Sequence, residues 1–360
     1  MKKIIFFSKN LNIGGMEKAL VNLLNSLTEY YDVTLVLEEK NGILIDDVDS
    51  RINIQEYRLS SNKNIFFRKL NNFVKRCIWS FKHFKKYDFS CNYATYSVIG
   101  SRLAQIASNN SSFYIHSDYY GVYNKNVNLI ENFFKPHKIS KYNKLIFVSN
   151  ESMNNFEKVF PEFVNKCLVI NNLVDYKNIK KLSDLKLNVT INKKNINFIF
   201  IGRLDNNSKN FDLLLDSFKK SIIKKNSIHL YIVGSGPYRD FIEKYIDKHN
   251  LVNNIHLVSE TKNPYNYLAN CDALILTSNY EGFPVVYLEA LVLNKKIFTT
   301  IMTSDESLDI SKYAVHLKKN SNDISEKLIN YNKEEVKIEI DFEKLNHLKV
   351  EMIRDLIEVK

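Results

Sequence analysis

The stretch from Asn279 to Leu291 carries the residues of this chain that are best suited to chemistry. It reads N-Y-E-G-F-P-V-V-Y-L-E-A-L, with Glu281 and Glu289 eight positions apart. The apolar run before it predicts a buried strand, and Pro284 is typical of the first turn of a helix. Glu281 is therefore expected at the helix mouth, and Glu289 one to two turns inside. Because free amides at a helix start favour anions, the segment suits a ligand with phosphate and hydroxyl groups, such as a sugar nucleotide.

Two glutamates at this spacing also occur on solvated helix faces. Whether Glu281 and Glu289 belong to a binding site or to a solvated surface therefore depends on what other segments of the chain contain. Ile199–Phe211 reads I-F-I-G-R-L-D-N-N-S-K-N-F, where Arg203 and Lys209 follow a strand and could grip a diphosphate. Farther on, the run Y-I-V-G-S-G-P-Y-R places Gly234 and Gly236 between a strand and a helix, where glycine allows close backbone approach. The alternative interpretations are that Arg203 and Lys209 are surface cations, and that Gly234 and Gly236 form an ordinary strand-to-helix turn.

Two segments near the start of the chain could contribute to the same site. Gly14 and Gly15 stand between the first strand and the first long helix, so their amides could meet phosphate. His116 ends a strand in Y-I-H-S-D-Y-Y and is a candidate for the sugar side of a cleft, although a single histidine is often structural. Asp47-Val48-Asp49 has the D-x-D form of some metal sites, but its polar setting favours a surface turn.

Strand-like runs alternate with helical patterns, which predicts parallel sheets wound with helices, an α/β class. The 360 residues suit two domains. The apolar stripe of the last helix does not decide which domain that helix covers. The strands are expected at 3–8, 32–37, 89–93, 113–116, 145–149 and 168–171, then at 197–202, 229–234, 255–258, 273–277 and 296–300. The predicted parts are an N-terminal domain at 1–176, a polar linker at 177–194, a C-terminal domain at 195–340 and a terminal helix at 341–360.

The net charge of +11 has a strong local source at residues 61–86, where eight Lys and Arg meet no acidic residue. Aromatic residues are interleaved with them, which gives a basic and an aromatic face at helical spacing. Two interpretations stay open: a helix on an anionic membrane surface, or a core-packing helix with a solvated basic side. No nucleic-acid recognition motif accompanies the charge, so we expect no nucleic-acid partner.

The cellular setting follows from cysteine usage and hydropathy. Four scattered cysteines lack metal-ligand spacing and indicate reduced thiols in a cytoplasm. The first apolar run is too short for a signal peptide, and no stretch approaches the roughly 20 apolar residues of a membrane span. A cytoplasmic protein, peripheral on the inner face of the plasma membrane, is expected.

Taken in order, these motifs resemble the family-four retaining glycosyltransferases of the GT-B fold, of the type that builds bacterial surface polysaccharides. The matching segments are the early Gly14-Gly15, His116, G-R-L with Lys209, G-S-G-P, and E-G-F-P-V-V-Y-L-E-A-L. The resemblance implies two Rossmann-like domains facing across a cleft, with residues 341–360 crossing back to the first domain. One difference is that the loop from G-R-L to Lys209 is one residue longer than the commonest form.

The resemblance also implies roles for individual residues. Arg203 and Lys209 would bind the donor diphosphate, and Glu289 would accept from the ribose. Glu281 and His116 would be the catalytic residues beside the donor sugar. The remaining donor-binding residues implied are Gly14, Gly15, Gly234, Gly236, Gly282, Phe283, Pro284 and Val285. Because fixed cations and helix-end amides can stabilise the leaving diphosphate, no metal ion or other cofactor is expected.

The leading hypothesis is a glycosyltransferase that uses a nucleotide sugar, with UDP as the expected carrier, and a lipid-linked glycan acceptor in capsule, exopolysaccharide or related synthesis. A sugar-nucleotide epimerase on the same scaffold is a second hypothesis, against which the paired glutamates argue. A non-catalytic partner of another transferase is the third, and its expected mark would be a broken motif. The sequence names neither the sugar, the linkage nor the acceptor.

Overall fold

The apolar runs of the sequence form two separate parallel sheets. A computed structural model describes residues 1–187, 189–333 and 337–358, and the chain divides into two units. One unit comprises Met1–Leu173 and the chain from Asn346 onward, and the other is Val174–Leu345.

The first unit holds a seven-stranded sheet in the order β3-β2-β1-β4-β5-β6-β7, with all neighbouring strands parallel. The strands are β1 (Lys3–Ser8), β2 (Asp32–Leu37), β3 (Asn53–Glu56), β4 (Phe89–Asn92), β5 (Ser111–Ile115), β6 (Lys144–Phe147) and β7 (Cys167–Val169). The helices are α1 (Gly15–Leu27), α2 (Ile65–His83), α3 (Val98–Ala107), α4 (Tyr119–Val122), α5 (Val127–Phe134) and α6 (Asn150–Glu157). Short 3-10 turns lie at Ile43–Asp47, Lys135–His137, Ile139–Lys141 and Pro161–Lys166.

The second unit holds a six-stranded parallel sheet in the order β10-β9-β8-β11-β12-β13. Its strands are β8 (Ile196–Ile201), β9 (Ile228–Val233), β10 (Ile255–Val258), β11 (Ala273–Leu276), β12 (Lys296–Thr299) and β13 (Ala314–His316). Its helices are α7 (Tyr176–Ser183), α8 (Asn206–Lys209), α9 (Phe211–Lys224), α10 (Arg239–Lys248), α11 (Tyr265–Asn270), α12 (Val285–Val292) and α13 (Ser321–Ile329), with a 3-10 turn at Ile310–Lys312. The last helix of the chain is α14 (Phe342–Glu358).

Both sheets have their cores at the central strands. The four residues of β11 are at most 1% exposed, as expected for a parallel strand with both faces covered. The edge strands β3 and β13 differ from the central strands, because they are short and half-exposed. The sequence prediction placed no strand at either of these edges.

The predicted linker is part of a domain in the structure. The polar stretch 177–194, predicted as a linker, lies within the second unit, and α7 begins it as a helix with Ile179 buried. A short amphipathic helix explains this, since one apolar residue per turn is enough to pack while the rest stay solvated. Residues 188, 334–336 and 359–360, within the predicted linker, second domain and terminal helix, lie outside the described residues.

The terminal helix α14 belongs to the first unit from Asn346 onward. Its buried Lys349 donates from Nζ to the carbonyl of Asn172 at 3.0 Å. Farther along, Asn110 donates to the carbonyl of Leu356 at 2.7 Å. These bonds join the end of the chain to the sheet that its beginning forms.

Candidate functional site

The strand order of the second sheet identifies one candidate position for ligand binding. Counted along the chain, the strands run 3-2-1-4-5-6, so the connections that follow β8 and β11 leave in opposite directions although these strands are neighbours. In open α/β sheets, ligands bind at this switch point, beyond the carboxyl ends of the strands. The loops after β8 and β11 are those that carry Arg203, Lys209 and Glu281.

The loop after β8 is built by its own polar side chains. Asp205 caps α8 by accepting from Asn207 N at 3.1 Å, and it holds the exposed Arg203 through an ion pair of 2.8 Å. Lys209 ends α8, and Asn210 then adopts a left-handed conformation with φ of 53° and caps α9. The short helix α8 thus turns Lys209 away from the solvated side of the loop.

The Lys209 ammonium meets the Glu281 carboxylate across the two loops. Nζ lies 2.5 Å from Oε1, and the side chains are 18% and 14% exposed. Ser278 Oγ donates to the same Oε1 at 2.6 Å, and Asn279 N donates to the carbonyl of Ser208 at 2.7 Å. Because the pair is mutually neutralised and hydrogen-bonded, both charges are held largely out of water at the switch point.

The helix that follows this loop begins where the sequence predicted. Pro284 is the N-cap residue of α12, one position before its expected place in the first turn, and Val285 is the first helical residue. Gly282 and Phe283 are buried between Glu281 and the helix, and the ring of Phe283 lies 6.1 Å from that of Tyr287. The start of α12 therefore lies four positions after Glu281, and the first-turn amides of a helix favour negative charge.

Glu289 lies in the second turn of α12 and is only 4% exposed. Tyr265 Oη donates to its Oε1 at 3.0 Å, from the first position of α11. Sequence reasoning missed Tyr265 entirely, because no spacing rule links α11 to a residue 24 positions later. The aromatic hydroxyl next to Pro264 is the signal that the sequence offered.

Gly234 and Gly236 let the loop after β9 approach the loop after β8. Both have φ near +155°, and a Cβ atom on Gly234 would lie 2.0 Å from the carbonyl oxygen of Gly202. A Cβ atom on Gly236 would lie 2.4 Å from the carbonyl oxygen of Leu204. The close approach that the motif predicted is therefore made here to protein backbone, and donor contact by these glycines stays a prediction.

In the first unit, Gly14 and Gly15 begin α1 at the carboxyl end of β1. A Cβ atom on Gly14 would lie 2.1 Å from Oε2 of Glu17, so this carboxylate covers the start of the helix. Tyr96 Oη donates to Glu17 Oε1 at 3.4 Å, and burial raises the pKa of Glu17. The glutamate three positions after an N-cap is a known capping signal that sequence reasoning did not use. A phosphate at these glycines would meet this carboxylate.

His116 directly follows β5 and is held between two aromatic rings. Its ring stacks on Tyr114 with centroids 4.7 Å apart and lies 4.4 Å from the ring of Tyr93. Nε2 is buried and has no hydrogen-bond partner among the described residues. Burial lowers the pKa of His116 to about 3, so the imidazole is neutral near pH 7.

The D-x-D segment forms a surface ion pair. Asp49 bonds Arg51 at 2.7 Å, which together with the backbone bond lowers the pKa of Asp49 to about 2. Among residues 1–187, 189–333 and 337–358, no group of three or more His, Cys, Asp or Glu could hold a metal ion.

The basic segment 61–86 forms α2, which Asn64 caps by accepting from the amides of Phe66 and Phe67. Trp79 and His83 are its buried residues, and Trp79 packs edge-on against Phe7. The large apolar residues of the segment that remain exposed are Ile65, Phe66, Phe67, Leu70, Phe73, Val74, Ile78, Phe81 and Phe84. Core packing therefore accounts for one end of the helix and leaves most of its apolar surface uncovered.

No helix in the described part of the chain combines the length and the hydropathy that crossing a bilayer requires.

Comparison with known proteins assigns a domain family to part of the chain. Residues 184–337 match the model of the glycosyl transferases group 1. These residues are a group 1 glycosyl transferase domain. For these residues the match confirms the glycosyltransferase resemblance predicted from the motifs, and the group 1 domain contains the switch-point loops with Arg203, Lys209, Glu281 and Glu289.

Two curated relatives align with this chain over more residues than the group 1 domain contains. A Campylobacter jejuni enzyme named N-acetylgalactosamine-N,N'-diacetylbacillosaminyl-diphospho-undecaprenol 4-alpha-N-acetylgalactosaminyltransferase is 27% identical over 314 residues, covering 83% of this chain and 81% of that protein. An uncharacterised glycosyltransferase of Methanocaldococcus jannaschii is 30% identical over 184 residues, covering 50% of this chain and 44% of that protein. The chain thus spans less than half of the second relative's length.

Solved structures show the same fold. Staphylococcus aureus TarM, as a mutant in complex with fondaparinux, alpha-GlcNAc-glycerol and UDP, has a TM-score of 0.74 at 16% identity, with full coverage of both chains. Anabaena HepE, in complex with UDP and glucose, has a TM-score of 0.71 at 16% identity and covers 98% of this chain and 100% of its own. The prediction of an α/β protein with two Rossmann-like domains of the GT-B type is confirmed.

The depressed pKa of His116 predicts a specific pH dependence of stability. Between about pH 6.5 and pH 3, an unfolded chain binds a proton at this imidazole that the native protein does not bind. The His116 contribution to the unfolding free energy must therefore fall as pH falls through this window, by at most about 1.4 kcal/mol per unit. Urea unfolding from pH 7 to pH 5 should show a steeper loss in the wild type than in His116→Gln. Parallel curves for the two proteins would contradict a buried, neutral imidazole.

Proposed function

We propose that this protein is a retaining glycosyltransferase that moves a sugar from a nucleotide-sugar donor, UDP-linked, to a lipid-linked glycan in bacterial surface-polymer synthesis such as capsule or exopolysaccharide. The observation that carries the proposal is the Lys209–Glu281 pair, held at the switch point of a group 1 glycosyl transferase domain, with the start of α12 four positions after Glu281. A cation, a carboxylate and helix amides are the groups that a sugar diphosphate needs.

The charges of the second unit support the donor assignment. As the anomeric C–O bond breaks, negative charge develops on the leaving diphosphate, and in this proposal Arg203, Lys209 and the first amides of α12 would stabilise it, with no metal ion invoked. Glu281, with Gly282 to Val285, is assigned to the donor sugar, and Glu289 to the ribose. UDP is the nucleotide named in the TarM and HepE complexes, which supports the choice of carrier.

The reaction is assigned a front-face course. The acceptor hydroxyl attacks the anomeric carbon on the face from which the diphosphate leaves. Its oxygen forms the new glycosidic bond, and its proton passes to a phosphate oxygen of the leaving group. The protein orients the donor and stabilises the separating charge, so that binding energy is used for positioning. The roles predicted for Gly14, Gly15 and His116 are proposals of the same kind, supported by their place at the carboxyl edge of the first sheet.

Two observations support a lipid-linked acceptor. The Campylobacter jejuni relative, which aligns with 83% of the chain, is named for a diphospho-undecaprenol substrate. In addition, α2 and its flanks carry eight cations without an acidic residue, beside exposed aromatic and aliphatic side chains. Such a combination binds anionic bilayers through charge and shallow apolar insertion. We therefore place the protein on the inner face of the plasma membrane, as a peripheral protein.

Glu281→Ala is expected to reduce sugar transfer by at least about 100-fold, because the donor sugar loses its carboxylate and Lys209 loses its partner. The assay is release of nucleoside diphosphate and product formation from a panel of sugar nucleotides with a lipid-linked acceptor. Glu326→Ala, which removes an exposed carboxylate on α13, is the matched control and should retain full activity. Wild-type transfer by folded Glu281→Ala would overturn the assignment, and so would an epimerised sugar nucleotide formed without any acceptor.

The membrane assignment predicts charge-dependent and aromatic-dependent liposome binding. Replacing Arg68, Lys69, Lys75 and Arg76 with glutamine should weaken co-sedimentation with vesicles containing phosphatidylglycerol by up to about a thousandfold, at roughly 1 kcal/mol per cation. Phe66→Ser with Phe81→Ser should weaken it as well, since both rings are exposed. Glutamine at Lys219, Lys220, Lys224 and Lys225 of the second unit is the matched control. Equal binding by all variants would contradict the assignment of α2 to the bilayer.

A further inference from the structure

Tyr265 and Glu289 form a buried hydrogen bond inside the second unit. The phenol hydroxyl donates to Oε1 at 3.0 Å, and the two residues are 7% and 4% exposed. A buried carboxylate requires donors, and a hydroxyl bound to one oxygen restricts rotation of the whole carboxylate group. The direction in which Glu289 can accept further hydrogen bonds is therefore set in part by Tyr265.

The position of Tyr265 is itself fixed by side-chain bonds. Asn263 Oδ1 accepts from Tyr265 N at 3.1 Å, so the asparagine secures the start of α11. The amide nitrogen of the same Asn263 donates to the carbonyl of Leu182, at the end of α7, at 2.9 Å. The backbone that carries the phenol is consequently anchored at the start of α11 and, through Asn263, to α7, so the phenol reaches Glu289 on α12 from a fixed base.

We propose that Tyr265 is a positioning residue for Glu289, and that the pair makes the site selective for nucleotides with ribose hydroxyls. The inference rests on the proposed function, in which Glu289 accepts from the ribose of the donor. A carboxylate that is oriented before the ligand arrives pays less ordering cost on binding, so its bond to a ribose hydroxyl is stronger. Without the phenol, Glu289 would lose orientation, and only ligands that use it would lose affinity.

The experiment compares two ligands, UDP and 2′,3′-dideoxyuridine diphosphate, by calorimetry. The wild type should bind UDP about tenfold or more tightly than the dideoxy compound, as expected when a site built for a hydroxyl meets an analogue without it. Tyr265→Phe, which removes one oxygen atom, should weaken UDP binding about tenfold and leave binding of the dideoxy compound within about twofold of the wild type.

Two further variants test whether the effect passes through Glu289. In a Glu289→Gln background, adding Tyr265→Phe should cause no further loss of UDP affinity, because both changes act on the same contact. Tyr267→Phe, two residues along α11, is the matched control and should bind both ligands as the wild type does.

The possible results separate this inference from the proposed function. Equal losses for UDP and the dideoxy compound in Tyr265→Phe would show a general structural role and overturn the inference, as would unchanged binding of UDP. A wild type that binds UDP no better than the dideoxy compound, or binds neither, would overturn the ribose assignment of Glu289 itself and the inference with it. Failure of the ribose assignment would therefore be visible in the ligand affinities of the wild type. Failure of the positioning role alone would be visible only in the affinities of Tyr265→Phe.

Discussion

The candidate site depends on one ion pair, Lys209 with Glu281. The two residues are 72 positions apart, and they meet because β8 and β11 are neighbours at the point where the strand order reverses. With side chains less than one-fifth exposed, either charge alone would be costly to hold there, whereas the pair with Ser278 is neutral and hydrogen-bonded. The pair also fixes the loop that leads into α12, so the geometry of the carboxylate, the cation and the helix start is set together.

Both units use the same strand order at their centres, yet their carboxyl edges differ electrostatically. In the first unit, Glu17 covers the start of α1, and the Glu38 carboxylate accepts from Ser97 nearby in the loop after β4. His116 is neutral there because it is buried. In the second unit, Arg203 and Lys209 are paired with Asp205 and Glu281. The carboxylates of the first edge therefore accept from hydroxyl groups, whereas those of the second edge are paired with cations.

Much of this arrangement was predictable from the sequence, because buried parallel strands are apolar runs and strand-to-helix loops carry recognisable residues. β1, β2 and β10 begin and end as predicted, and the loops with Lys209 and Glu281 lie where their motifs indicated. The edge strands β3 and β13 were missed because they are short, contain no buried residue and lack long apolar runs. Glu17 over Gly14 and Tyr265 on Glu289 were not predicted: the capping position of Glu17 was readable from the sequence, but the contacts themselves depend on the directions of the side chains. Likewise, the backbone that approaches Gly234 was visible only in three dimensions.

The most direct test of the account is a double-mutant cycle on the ion pair. The unfolding free energy of the second unit would be measured in urea for the wild type, Lys209→Met, Glu281→Gln and the double variant. A coupled pair should give a coupling energy of about 1–3 kcal/mol, with the double variant more stable than the sum of the single losses implies. Additive effects, within about 0.3–0.5 kcal/mol, would contradict a coupled pair at the switch point and remove the basis for the site.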